Sequence, residues 1–480
     1  MPKGKFLSTI VLLFVSSLVA CSVKQDSVAT GGDIPSQPPQ PAGTSQLSVT
    51  LSDTPPAGVS VLSFEVNISN ALLQPNVGTD VSLLPNGRSV EIEVKKLETE
   101  SAVLSTISAP AGTYKGLQLT MSNPTLTVQN ASPNDIGGCL KNTICQFKPA
   151  AAGPVTYSGA PFPLTLVAGT PKGFKIDILL NKIIRADLSV ALNDPSVITV
   201  AELPAVPVSG APAKLEDNEF AGMITSLDAV NSKFVVQNSV SGISQTINVD
   251  MNTKFEDFDE HGCSTKDFSC LSTSQIVEVE TTLKSDGSLL ANEVKLGESS
   301  GAKSVEGTLV SVSGSSPSHF QMVVLDEEPE LPGLKPGNTL IVDLSGTPKF
   351  DIGLGRLAVP AGGTFATSDD LLPGQDLQIE PGTILPGPPI STSTSHIRLH
   401  TSQFTARVSA VNGSAITVTN LPAVFELNAL TVQTTSNTEF EGIPGASSLT
   451  SGSIISIRGL LFKAASGPVV TAAKIRTGDD

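Results

Sequence analysis

Several stretches carry residue types at spacings that chemistry uses. Gly297-Glu298-Ser299-Ser300-Gly301 fits G-x-S-x-G, the sharp turn that lifts a serine nucleophile between a strand and a helix. A strand pattern does precede it, but Ala302 onward opens another alternating run, so Ser299 reads as part of a linker. Gly353-Leu354-Gly355-Arg356-Leu357-Ala358 echoes a dinucleotide loop. Pro360 follows at once and leaves no helix to present its amino end to a pyrophosphate. His396 and His400 have the i, i+4 spacing of a helical zinc site. Their neighbours alternate as a strand, where that spacing separates them by roughly 13 Å, too far for one ion. The run Glu256-Asp257-Phe258-Asp259-Glu260-His261 offers oxygen ligands; it lacks the spaced loop that encloses calcium, so a cation site and a solvated loop both remain open. Sugar binding through aromatic stacking is weakened by the lack of tryptophan and the presence of only Tyr114 and Tyr157. No catalytic, cofactor-binding or metal-ligating residue is assigned, and the chain is expected not to be an enzyme.

The five cysteines divide by context. Cys139 with Cys145 and Cys263 with Cys270 form two local pairs, each in a loop rich in small and polar residues. They are predicted disulfide staples, worth roughly 2 kcal/mol each in the chain-entropy model. The rival reading is a four-thiolate metal site, which usually shows tighter C-x2-C spacing. Cys21 ends an apolar run from Phe6 to Val19 that follows Lys3 and Lys5, the layout of a signal peptide and too short to span a bilayer. Leu18-Val19-Ala20-Cys21 resembles the lipobox of bacterial lipoproteins. The resemblance implies cleavage before Cys21 and lipidation of its thiol, and Ser22 in place of aspartate implies the outer membrane. Several acyl chains hold a protein to a bilayer where one does so only marginally.

The chain has 480 residues and a formal charge of −16. Nucleic-acid recognition relies on clustered Lys and Arg that displace counterions, so a nucleic-acid partner is not expected. Residues 1–20 are read as signal peptide and 21–45 as lipidated cysteine plus a Pro-, Gly- and Ser-rich tether of roughly 27 Å r.m.s. span.

From there the period is two. Leu47, Val49 and Leu51 alternate with polar residues, as do Phe64, Val66 and Ile68, Val90, Ile92 and Val94, Leu117, Leu119 and Met121, and Phe174, Ile176 and Ile178. A β-sandwich is predicted over 46–202, with at most a short helix between Val94 and Ile107. LSVTLSDTPP, APAGTYKGLQL and FKIDILL resemble the N-terminal domain of an uncharacterised family of bacterial lipoproteins, which implies a fold and a location without an activity.

Beyond a linker at 203–218, three landmarks recur in order. The openings are FAGMITSLD at Phe220, VEGTLVSVS at Val305 and FTARVSAVN at Phe404. The middles are NTKF, TPKF and NTEF, ending at Phe255, Phe350 and Phe440. The closings are EVKLG at Glu293, HIRLH at His396 and AAKIR at Ala472. Repeats are therefore placed at 219–299, 304–400 and 401–477, the second carrying the insertions EEPELPGLKPGN and EPGTILPGPPI. Their short alternating strands suit small OB-like β-barrels, with the shared phenylalanine expected inside. The units resemble a repeat family of secreted bacterial proteins without assigned function.

The sequence thus predicts an all-β envelope protein: an N-terminal β-sandwich followed by three small β-barrel repeats, tied to the membrane through Cys21. Its expected role is binding or structural, with an envelope protein or glycan as partner. A carbohydrate- or calcium-binding surface protein and an envelope hydrolase are the alternatives.

Overall fold

A computed structural model describes residues 43–53, 60–84, 89–99, 102–149, 153–185, 187–203, 218–237, 244–256, 258, 263–284, 288–296, 303–314, 316–328, 331–354 and 357–477. Within them the chain is almost entirely β, as the alternation predicts.

The first eleven strands build a sandwich. They are β1 (Thr44–Asp53), β2 (Ser60–Pro75), β3 (Val81–Ser82), β4 (Val90–Glu93), β5 (Ala102–Pro110), β6 (Gly112–Gln129), β7 (Ile144–Phe147), β8 (Val155–Tyr157), β9 (Leu164–Leu166), β10 (Lys172–Ile178) and β11 (Ile198–Leu203). One sheet runs β11-β10-β1-β5, with β1 parallel to β10 and antiparallel to β5. The other is centred on β2 and β6; β3 and β4 flank β2, while β7, β8 and β9 pair with the far edge of β6. The alternating residues named above meet between the sheets: Leu47, Val49, Phe64, Val66, Leu117, Phe174 and Ile176 are all fully buried. Tyr114 lies in the same core and donates its hydroxyl to the Pro110 carbonyl at 2.6 Å, bracing the corner between β5 and β6 as a tyrosine does in many sandwiches. The short helix allowed between Val94 and Ile107 is a five-residue 3-10 turn, Val94–Glu98, opened by the Glu93 carboxylate accepting from Lys95 N, and the sandwich's α-helix among the described residues lies instead at Leu180–Ile183. Ala102 then begins β5, because the β-branched and small residues that follow fit a pleat better than a helix.

Three barrels follow. The first uses β12 (Asn218–Asp228), β13 (Lys233–Gln237), β14 (Ser244–Asn248), β15 (Lys254–Glu256), β16 (Ile276–Leu283) and β17 (Leu289–Leu296). The second uses β18 (Ser304–Val312), β19 (His319–Glu328), β20 (Thr339–Ile352), β21 (Gly363–Thr364), β22 (Asp376–Ile379) and β23 (Ile390–His400). The third uses β24 (Ser402–Asn412), β25 (Ala415–Thr419), β26 (Ala429–Gln433), β27 (Glu439–Glu441), β28 (Ile454–Ala464) and β29 (Val469–Thr477). In each barrel the pairings close a ring, and the closing contact is parallel: β14 with β17, β20 with β23, β26 with β29. The antiparallel pairs β12–β16, β18–β22 and β24–β28 complete the circuit. Five ring strands therefore run one-two-three-five-four, the OB-like order, and closure removes the exposed edges that open sheets carry.

The shared phenylalanines sit on the segment that pairs in parallel with the last strand. Only Phe255 is buried; Phe350 and Phe440 are half-buried and pack against the core margin. The barrel interiors are filled instead by Phe234 in the first, Phe320 in the second and Phe404 in the third, each about 1% exposed.

Barrels two and three share their cores. Leu460 and Phe462 of β28 pack into the core of the second barrel, and Val310 and Val323 of the second pack into that of the third. The first barrel keeps its core largely to itself. It meets the sandwich through the single strand pair Glu219 with Ala102 and through Gln245 donating to Thr106 Oγ1 at 2.9 Å.

Candidate functional site

The richest cluster of ionisable and polar side chains lies where the 3-10 turn Val94–Glu98 meets the second and third barrels. Val94 and Leu97 anchor the turn in the sandwich core. That leaves Lys95, Lys96 and Glu98 on the opposite side, facing the barrels. Lys96 Nζ lies 2.9 Å from Glu306 Oε2 on β18 and 3.0 Å from Asp326 Oδ2 on β19. Lys95 pairs with Glu98 and donates to the Gln403 carbonyl at 2.9 Å. Glu98 also accepts from Thr405 Oγ1, and Thr99 Oγ1 donates to Gln403 Oε1 at 2.7 Å. Three domains are thus joined by side chains some 200 to 300 positions apart in the chain.

Burial sets the electrostatics. Desolvation pushes the Glu306 carboxyl up, but Lys96 and His400 outweigh it and hold Glu306 well below the usual range. Desolvation acts against the Lys96 ammonium as well, and Asp326 and Glu306 more than restore it. Asp376, 6% exposed, is pushed up to about 7 by burial, with Glu306 adding repulsion and Lys95 and Lys96 offsetting only part of the shift. It accepts from Thr308 Oγ1 at 2.6 Å. Asp53 is raised well above the carboxylate range by burial and by Glu98 and Asp177.

The insertion that follows β19 serves the same junction. Thr127 Oγ1 of the sandwich donates to the Gly337 carbonyl at 2.9 Å. Gly337 has φ +78°, and a Cβ there would fall 2.6 Å from that hydroxyl, so only glycine allows the loop to seat.

Several of the residues singled out by sequence have a definite place. Cys139–Cys145 and Cys263–Cys270 are disulfides with Cα separations of 5.7 Å. Their sulfurs are spent on each other, which removes the four-thiolate metal reading. Cys21, the 297–301 motif, and Asp257, Asp259, Glu260 and His261 of the acidic run lie outside the described residues. Gly353 and Leu354 follow β20 directly; Gly355 and Arg356 also lie outside the described residues. Tyr157 donates to the Ala160 carbonyl at 2.8 Å. His396 and His400 share strand β23 as expected, but neither ring is simply solvated. His400 Nε2 is 3.1 Å from Gln378 Oε1, and His396 is held between two carboxylates. Among the described residues no group of three or more His, Cys, Asp or Glu is placed to hold a metal ion.

One repeated device escaped the sequence reading. Before its fourth ring strand each barrel makes a 3-10 turn, Phe268–Cys270, Ser368–Asp370 or Ala446–Ser448, followed by a buried leucine: Leu271, Leu371 or Leu449. Four residues later Gln275, Gln375 or Ser453 caps the turn through its side chain, accepting from Ser272 N, Leu372 N and Thr450 N. Its carbonyl accepts from Ile224, Leu309 or Val408 on the first strand at 2.8 Å in every case. The turn is thereby latched to the barrel three times over. The signal was present in CLSTSQ, DLLPGQ and SLTSGS, a leucine four positions before a capping side chain.

A family described as Domain of unknown function (DUF5666) matches residues 221–295 and 405–476, the first and third barrels. No curated protein matches the chain. A solved multidomain protein with nucleic acid binding domains from Streptococcus pneumoniae is similar over 53% of this chain and 72% of that one, at 11% identity and a TM-score of 0.10. So low a score carries no argument.

Proposed function

We propose that this is a non-catalytic protein of the bacterial cell envelope, anchored at the outer membrane through lipid on Cys21, and that it acts as a binding or structural module. The observation that carries the reading is the pair of disulfides, since such bonds persist in oxidising compartments and are rare in the cytosol. They occupy four of the chain's five cysteines, which leaves Cys21 as the thiol for the lipid. The charged junction supports a structural role. Lys96 is committed to Glu306 and Asp326 across a domain boundary, and Lys95 and Glu98 to Gln403 and Thr405 across another, an arrangement suited to holding a surface in fixed shape for a partner. That partner is read as an envelope protein or a glycan, and the acidic balance argues against nucleic acid.

The test has two arms. Cells grown with labelled palmitate are expected to label the wild-type chain and not Cys21→Ser; equal labelling of both sinks the anchor. In-cell crosslinking followed by mass spectrometry is expected to recover a recurrent envelope protein, whereas turnover of esters, peptides or glycosides by the purified protein would replace the binding role with a hydrolytic one.

A further inference from the structure

His396 lies on β23 between two other segments of the second barrel. Its Nδ1 is 2.7 Å from Glu380 Oε1 and its Nε2 2.5 Å from Asp351 Oδ2. A neutral imidazole has one N–H donor and one acceptor nitrogen. Ionised carboxylates only accept, so a ring that contacts one at each nitrogen satisfies both only as the imidazolium, donating twice. Protonation of His396 is therefore part of the geometry.

The two carboxylates come from informative places. Asp351 is at the end of β20, in the stretch that pairs in parallel with β23. Glu380 directly follows β22 and opens the insertion EPGTILPGPPI. That insertion folds back on β23 by its own bonds: Thr394 Oγ1 donates to the Glu380 carbonyl at 2.9 Å, Gly382 N to Ser393 O at 2.8 Å, and Leu385 N to Ser391 O at 2.8 Å. Its tip carries Leu385, 57% exposed. The His396 ring thus adds a side-chain tie between the root of the insertion and the end of β20, each of which is also bonded to β23.

We propose that His396 is a proton-operated clasp, pinning the root of the 380–390 insertion to the end of β20 when charged and releasing one of the two when it loses its proton. The charged groups facing the ring from the flanking strands are Asp351 and Lys349 on β20 and Glu380 beyond β22, with Arg398 two residues along its own strand. Lys349 pairs with Asp351 and competes for it. Burial pushes the imidazole down, but the two carboxylates more than offset this and hold it above its ordinary value. The clasp is accordingly shut under mildly acidic conditions and opens as pH rises through that elevated midpoint.

With four histidines in the chain, NMR of the ring carbons resolves each titration in the intact protein. His396 is expected to titrate above the ordinary 6.5, and amide exchange across 380–390, corrected for intrinsic pH dependence, to rise at least fivefold above that midpoint. In Glu380→Gln the midpoint falls, and below it the root of the insertion exchanges faster than in the wild type. In Asp351→Asn the midpoint falls while the insertion stays tied to the ring. A His396 midpoint at or below 6.5, or insertion exchange indifferent to both pH and Glu380→Gln, overturns the clasp. The two carboxylate variants decide the matter even where His396→Gln fails to fold.

Discussion

The first and second barrels close the same ring, yet hold it by different means. In the first, the latch turn ends at Cys270, which is bonded to Cys263, and the core residues are almost all its own. In the second the turn has no cysteine. Asp370 fills that place with a capping box, accepting from Thr364 Oγ1 at 2.7 Å, Ala366 N at 2.8 Å and Thr367 N at 3.1 Å. Its latch glutamine, Gln375, is fully buried and also donates to the Leu461 carbonyl of the third barrel at 2.9 Å. The contrast follows from size. A barrel of this length buries little surface for its chain, and small units need a staple, while a docked unit draws on its neighbours' cores.

The largest test of that contrast is a pair of core truncations. Phe462→Ala removes a fully buried ring that the third barrel lends to the second, and should cost about 4 kcal/mol. Phe234→Ala in the first barrel should cost a similar amount. Hydrogen exchange tells them apart: the former is expected to raise exchange in the second and third barrels together, the latter only in the first. Exchange confined to β28 and β29 in Phe462→Ala would break the idea of a shared core.

Next in size is Lys95→Met, which leaves the Glu98 carboxylate, 1% exposed, with only Thr405 beside it. Stranding a buried charge costs about 3 kcal/mol. Lys96→Met should cost less, about 2 kcal/mol, because it leaves Glu306, 25% exposed, with His400 still beside it, while Asp326, 60% exposed, is screened by water. Urea midpoints that rank the two the other way would mean that the sandwich and barrels are not joined chiefly through Glu98.

Smaller again are the latches themselves. Cys263→Ser with Cys270→Ser is expected to cost about 2 kcal/mol in the first barrel. Asp370→Ala should cost about 1.5 kcal/mol in the second, through lost capping bonds. Limited proteolysis should cut near 263–270 in one and near 364–371 in the other; cleavage at the same barrel in both would dissolve the distinction.

How much of this was visible beforehand depended on whether a residue's role is local. Leu47, Phe64 and Phe174 declare a strand by alternation, and the recurring openings and closings declare three like units. The junction did not show, because Lys95 and Gln403 are 308 positions apart, and a lysine beside alternating apolar residues reads as solvent-facing in any strand or turn pattern. The outer face of β1 misleads in the same way. Ser48, Thr50 and Ser52 look like its wet side, and all are at most 1% exposed. His396 shows no partner in the sequence, since Asp351 and Glu380 reach it through strand pairing rather than through sequence spacing. The latch, by contrast, is legible, because a leucine stands four positions before a capping Gln or Ser in all three units.

The last test reads a slope with pH rather than a loss at one pH. Asp376 lies next to the charged junction in the second barrel, with no counterpart among the apolar core residues of the first. Its folded-state value of about 7, set first by burial, lies above the ordinary 3.9 of an unfolded aspartate. Between those values the unfolded chain releases a proton that the folded chain keeps, so folded protein binds more protons and stability falls as pH rises. The contribution is complete below about pH 4 and gone above about pH 7. Asp376→Asn cannot titrate, so stability measured by urea unfolding from pH 4 to 7 should decline less steeply than in the wild type. Restricted to exchange in the second barrel, the difference between the two should be visible there and absent from the first; parallel slopes in both proteins would show that Asp376 is ionised in the folded state and that Lys95 and Lys96 outweigh its burial.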